Sequence, residues 1–291
     1  MPIARKQRTL ARTATVSGFG YWSGCDVRLE FRPAPADTGV VFVRHDLPRP
    51  ARIRATIENR IDAQRRTTLS AGGASVEMVE HVLAALAGLQ IDNCEVWIDR
   101  PEMPGCDGSS QPFVQALDKA GIETQPALRS QLVVREPLRL GSADSWVEAR
   151  PARSGGMSLK FRLDYGASTA IGRQTLELVI TPDSFRRELA SSRTFMLREE
   201  ADWLVAQGLG KRVTPHDLLI FDAHGPIDNP LRYRDECVRH KALDLVGDLA
   251  LSGCDLVGHF VAHRSGHRLN AELVRALIAE AEAADTWRRT A

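Results

Sequence analysis

Apolar and polar positions alternate early in the chain. Val27, Leu29 and Phe31 interleave with Arg28, Glu30 and Arg32. That period of two predicts a half-buried strand, which Pro33 stops. Gly39 to Val43 is a short apolar run of strand type. The period then changes. Glu80 to Leu89 is rich in helix formers and lacks alternation, which predicts a helix. Cys94 to Ile98 returns to strand, residues 105–110 read as a turn-rich loop, and Gln111 to Ala120 reads as a helix with Ser110 as its N-cap. A junction is expected at Thr124-Gln125-Pro126. Beyond it, Met157, Leu159, Phe161, Leu163 and Tyr165 alternate with Ser158, Lys160, Arg162 and Asp164, and Thr175 to Ile180 is a further strand candidate. Helical patterns return at Arg198 to Gln207, Glu236 to Leu251 and Asn270 to Ala283.

The two parts rhyme. His81 and His240 stand 159 positions apart, each near the start of a predicted helix, and Gly88 and Gly247 follow each at an offset of 7. A strand comes next in both, with Cys94 and Cys254 near its start, and the closing helices are expected to begin at Gln111 and Asn270. The pattern predicts an α+β protein of two similar segments, 1–125 and 126–291, each a mainly antiparallel sheet plus two helices. Each sheet has one apolar face to cover, and the two helix layers can pack on each other. Such pairing would bring His81 and His240 towards one cleft.

Composition narrows the class. A length of 291 residues suggests about two domains. Lys and Arg number 38 against 37 Asp and Glu, so the basic excess of a nucleic-acid binder is missing. No stretch approaches the ~18 consecutive apolar residues of a membrane span. Met1 to Val16 carries Arg5, Lys6, Arg8 and Arg12 but no apolar core, unlike a secretory signal. Five cysteines, an odd number without a CxxC pair, read as reduced thiols in a cytoplasm.

His240, Asp244 and Asp248 share one helical stripe at i, i+4 and i+8. Imidazole nitrogen and carboxylate oxygen are ordinary zinc ligands, and a catalytic zinc takes three protein ligands. A solvated charged face or a supporting His–Asp pair accounts for the same spacing. Against that, Ala242, Leu243, Leu245 and Val246 surround the stripe with apolar positions. His81 could supply a third ligand. Glu80, beside it, is placed to take a proton, although an acidic residue also suits a helix N-terminus. His263-Arg264-Ser265-Gly266-His267 reads as a loop between strand and helix. Loops often carry functional side chains, and a cationic His there could protonate a leaving amine. His263 reads as simply solvated.

These blocks resemble the zinc-dependent UDP-3-O-acyl-N-acetylglucosamine deacetylases of lipid A synthesis. The similarity is carried by Glu80 to Leu89, Ile91-Asp92-Asn93, Asp107-Gly108-Ser109, Phe31 to Ala36, Arg193-Thr194-Phe195, Arg239-His240-Lys241 with Leu243-Asp244, and Ser265-Gly266-His267. It runs in order from about Gln7 to Leu277. The resemblance implies a β-α-α-β sandwich and hydrolysis of the N-acetyl group with release of acetate. It implies His81, His240 and Asp244 as metal ligands, Glu80 as general base and His267 as general acid oriented by Asp248. Lys241 and Thr194 would act at the tetrahedral intermediate and carbonyl oxygen. Arg264, Phe195, Tyr165 and Ser265 are expected to bind substrate. Residues 195–221 would form the acyl passage, with Phe195, Leu197, Trp203, Leu204 and Leu209 as apolar surface; for these, and for Trp203 above all, plain core packing is the competing expectation.

The chain departs from the family wording at three places. Trp22 stands where a histidine is usual, Arg264 stands for a loop lysine, and Thr214-Pro215-His216-Asp217 replaces a glycine-serine segment. The expected cofactor is Zn2+, although Fe2+ accepts the same two His and one carboxylate. The expected partner is a UDP-linked acylated amino sugar, with no nucleic acid and at most peripheral membrane contact, and the chain is expected to be a monomer. Two other readings compete: the same chemistry on a different acylated amino sugar, and a non-catalytic metal-stabilised binding protein.

Overall fold

The computed structural model describes residues 4–152 and 155–284; the outer limits expected for the two segments, 1 and 291, lie outside the described residues, as does Met1 to Ile3 of the N-terminal stretch. In chain order the first part contains β1 (Lys6–Leu10), β2 (Ala14–Phe19), β3 (Asp26–Pro33), β4 (Val40–Arg44), β5 (Ala51–Arg54), β6 (Arg60–Ile61), β7 (Thr68–Ala71), β8 (Ala74–Glu77), α1 (Glu80–Gly88), β9 (Cys94–Ile98), α2 (Gln111–Ala120) and β10 (Ile122–Leu128). The second contains β11 (Gln131–Val133), β12 (Leu138–Gly141), β13 (Trp146–Arg150), β14 (Met157–Asp164), β15 (Arg173–Val179), a helical turn α3 (Pro182–Ser184), β16 (Phe195–Leu197), α4 (Arg198–Ala206), β17 (Leu219–Phe221), α5 (Glu236–Leu249), β18 (Asp255–His263) and α6 (His267–Ala283).

The class is α+β. One sheet has strand order β2-β3-β9-β4-β5 and another β12-β13-β18-β14-β15, with β11 added beside β18. Each is antiparallel except at β4/β9 in the first and at β14/β18 and β11/β18 in the second. The alternation read in β3 is real: Val27, Leu29 and Phe31 are buried and Arg28 is exposed. Thr124, Gln125 and Pro126 lie inside β10, which pairs antiparallel with β1.

Helices α1 and α5 pack together. Every α1 side chain except Ala87 is buried, and α5 is buried from Ala242 to Leu249. Gly247 makes this approach feasible, because a Cβ there would stand 2.1 Å from the Glu80 carbonyl oxygen. Gly88 plays the same part at the far end of α1, where a Cβ would sit 2.3 Å from the Phe185 ring. Both glycines sit inside helices, where glycine costs roughly 1 kcal/mol relative to alanine. The close contact explains that cost.

Ser110 holds the N-cap position of α2 as expected, but its hydroxyl donates to the His81 carbonyl at 2.8 Å, and the Gln111 N–H is taken by the Ser109 hydroxyl at 3.1 Å. One local reading is corrected. The last helix starts at His267, not Asn270, so His267 sits in its first turn and His263 ends a strand. The two closing helices therefore do not begin at equivalent positions.

Candidate active site

His81 is the second residue of α1, and His240 and Asp244 are one turn apart on α5. All three are buried. Asp244 Oδ1 lies 3.6 Å from His81 Nε2 and 3.5 Å from His240 Nε2, and the candidate ligand atoms are within 4.8 Å of one another. That oxygen is buried and accepts no hydrogen bond among the described residues, whereas Oδ2 takes Lys241 Nζ at 2.7 Å. A buried carboxylate oxygen without a donor is expensive. Two imidazole nitrogens and an orphaned carboxylate oxygen facing one point are a donor set that fits Zn2+ or Fe2+.

The surroundings prepare these atoms. His240 Nδ1 meets the Ser192 carbonyl at 3.1 Å, so Nδ1 carries the proton and the Nε2 lone pair faces inwards. Burial lowers the His240 pKa to about 4, which keeps the ring neutral. Burial pushes the Asp244 carboxyl up, but the His240 and Lys241 nitrogens more than reverse it and hold it well below the usual range.

Glu80 and His267 flank the trio. Glu80 is buried, and burial raises its pKa against the pull of His267 and His81. His267 Nδ1 binds Asp248 Oδ2 at 2.9 Å. Burial alone would lower the His267 pKa, but Asp248 and then Glu80 raise it to about 9. A carboxyl with a raised pKa beside a protonated imidazole can move a proton in both directions. Two partners escaped the sequence reading. Thr67 donates from its backbone to Glu80 Oε2 at 2.9 Å and from its hydroxyl to Asp248 Oδ1 at 2.6 Å. Asn270, read there only as a helix start, gives Nδ2 to Asp248 Oδ2 at 2.8 Å. Neither has a spacing that betrays it.

A cleft of about 1110 Å3 opens over these groups. Glu80, Lys241, Thr194, Phe195, Tyr165, Arg264 and Ser265 all line it, as does Trp22. Asp248 does not; it lies beneath, reaching the cleft through His267. The Thr194 hydroxyl donates to the Gly108 carbonyl at 3.0 Å. The Ser265 hydroxyl donates to Asn270 Oδ1 at 2.9 Å and so supports the Asp248 cluster. Phe195 meets Tyr165 edge-on at 5.8 Å and His240 at 6.1 Å. From residues 195–221, Leu204, Leu209, Leu218 and Ile220 form an apolar wall. Trp203 belongs neither to the core nor to this wall: it is 53% exposed and is not among the residues lining the cleft.

An α+β chain whose paired helices put two imidazoles and a carboxylate at one buried point, beside a Glu–His couple, has the make-up of a metal-assisted hydrolase. A family model, UDP-3-O-acyl N-acetylglycosamine deacetylase, matches residues 7–279. Among curated relatives, the protein named UDP-3-O-acyl-N-acetylglucosamine deacetylase from Thermosynechococcus vestitus is 43% identical over 94% of this chain and 95% of its own. Those of the same name from Anaeromyxobacter dehalogenans and Syntrophus aciditrophicus are 40% and 37% identical, over 94% and 95% of this chain and 88% and 87% of their own. The chain belongs to the UDP-3-O-acyl N-acetylglycosamine deacetylase family. Among the described residues, no helix is long and apolar enough to cross a membrane.

Proposed function

We propose that the protein removes the acetyl group from UDP-3-O-acyl-N-acetylglucosamine, in lipid A synthesis. One observation carries the reading: in a chain of this family, Glu80 and His267 face each other at 3.9 Å directly beside the His81–His240–Asp244 trio. The two-segment β-α-α-β sandwich, with its junction near residue 125, belongs to the same reading; the shared strand order of the two sheets and the α1–α5 contact support it. A cytoplasmic location and a monomeric state are part of the same proposal.

His81, His240 and Asp244 would hold Zn2+, with Fe2+ as the alternative. Such an ion brings the pKa of a water ligand to about 7 and polarises a carbonyl. Glu80 accepts the proton of the attacking water. Burial raises its pKa, which makes it a stronger base than an ordinary carboxylate. Lys241 would meet the developing oxyanion, and Thr194 would join it by turning its hydroxyl away from the Gly108 carbonyl. His267, held cationic by Asp248, protonates the amine nitrogen as the C–N bond breaks and acetate leaves. Phe195 and the wall of Leu204 and Ile220 take the acyl chain, while Tyr165, Ser265 and Arg264 border the sugar nucleotide. Purified protein offered the UDP-linked acyl-sugar should release acetate, and a chelator should stop it. Absence of acetate from metal-replete protein overturns the assignment.

A further inference from the structure

Glu80 sits on α1, whereas Asp248 and His267 come from α5 and α6, so the proton-transfer couple is assembled across the molecule. Glu80 Oε1 and His267 Nε2 are 3.9 Å apart, beyond hydrogen-bond reach. Their spacing must therefore be set by other contacts. Thr67, just before β7, touches both sides through two different groups. Its backbone N–H holds Glu80 Oε2 at 2.9 Å. Its hydroxyl holds Asp248 Oδ1 at 2.6 Å, across 181 positions of chain. Asp248 passes the constraint on through its other oxygen to His267 Nδ1. Thr67 is 1% exposed, so solvent offers its hydroxyl no substitute partner.

We infer that Thr67 is a positioning residue, which fixes the distance and facing of Glu80 and His267 by tying the first carboxylate to the second. The inference rests on the proton-transfer roles given above. Its specificity is visible in the next residue. Thr68 has the same side chain and is also buried, yet its hydroxyl has no hydrogen-bond partner among the described residues. The backbone N–H that holds Glu80 is kept by every substitution at Thr67 except proline, so a side-chain change isolates the Asp248 arm.

The test compares Thr67→Val, Thr67→Ser and Thr68→Val, each read for kcat, KM, bound metal and melting temperature. Misplacing reacting groups by about 1 Å costs on the order of 100-fold in rate. Thr67→Val should therefore lose about 100-fold in kcat, with KM and bound metal unchanged. Thr67→Ser should restore most of it, and Thr68→Val should match the parent. On an Asp248→Asn background Thr67→Val should add little, because both changes cut one chain of contacts. If the valine variant fails to fold, Thr67→Ala takes its place with the same readouts. Parental kcat in folded Thr67→Val, or losses that simply add on the Asp248→Asn background, overturn the inference. Near-parental rates in Glu80→Gln and His267→Ala would instead overturn the proton-transfer reading, and the Thr67 role with it.

Discussion

The floor of the cleft and its rim are built in different ways. The floor is a contact between two helices. His240, Asp244 and Asp248 follow one another at single-turn intervals, and Gly247 lets α1 approach until His81 faces them. Each side chain there is buried and each position follows from helical geometry. The rim is assembled from pieces far apart in the chain. Trp22, Tyr165, Thr194 and Arg264 line the cleft from separate segments, and the hydroxyl of Tyr21, another lining residue, donates to the Asp217 carbonyl. Arg264 occupies left-handed backbone at φ 50°, uncommon for a residue with a Cβ. The floor has one arrangement open to it; the rim can vary without disturbing the helices. Of the chain's departures from the family wording, Trp22 and Arg264 line the cleft and residues 214–217 do not, and none lies on α1 or α5.

The contrast breaks most severely at the ligands. His81→Ala, His240→Ala and Asp244→Ala should each lose most bound metal, read by elemental analysis, and with it turnover. Asp244→Ala also strips Lys241 of its 2.7 Å partner, so a fall in melting temperature is expected there as well. Full metal occupancy in the His240→Ala protein would show that the floor is not a metal site.

The proton-transfer couple comes next. Glu80→Gln and His267→Ala should each slow kcat/KM by about 100- to 10,000-fold, the usual share of general acid–base catalysis. The pH profile should be bell-shaped, with Glu80 setting the acidic limb and His267 the basic one. The His267 pKa is raised from 6.5 to about 9, so its proton is fully held below 6.5 and is lost as the pH rises through about 9. Activity should fall as the pH rises through about 9. The stability that His267 gains from Asp248 is fully present below 6.5 and should fade between 6.5 and about 9, because the folded-state pKa lies above the unfolded one. Asp248→Asn removes the first raising influence and should move the basic limb to lower pH. An unmoved limb would show that another group titrates there.

How much of this was legible in the chain follows the same division. The α5 stripe was readable because three polar residues at helical spacing interrupt an apolar run. The β3 and β14 alternations were readable because each strand has one buried face. His267 reads as a loop residue because the apolar helical pattern starts only at Asn270, whose amide in fact serves Asp248 from inside the helix. Thr67 was invisible because its significance lies in a contact 181 positions away. Trp203 was assigned to passage or core on hydrophobicity alone, and periodicity within one short helix does not say which face is covered.

The smallest effect is expected at Arg264, and it bears most directly on the rim. Its guanidinium is exposed, lines the cleft and forms no salt bridge among the described residues. Asp164 is close enough for its carboxyl to be lowered in part by this charge, after Gly166 and Arg173. A planar fork grips phosphate oxygens at two points, where a lysine offers a point charge. Binding a diphosphate that takes no part in the chemistry strengthens ground state and transition state alike, so its loss raises KM and spares kcat. Arg264→Ala should therefore raise KM for a UDP-linked substrate by roughly tenfold, the equivalent of about 1.4 kcal/mol, and weaken inhibition by free UDP. Arg264→Lys should do less. Trp203→Ala is the matched control, a large exposed side chain off the cleft, and should leave KM where it was. If Arg264→Ala behaves like Trp203→Ala, the arginine is a surface residue and the diphosphate is held elsewhere. A drop in kcat with KM unchanged would instead tie this rim residue to the floor, because the strained backbone at Arg264 runs three residues ahead of His267.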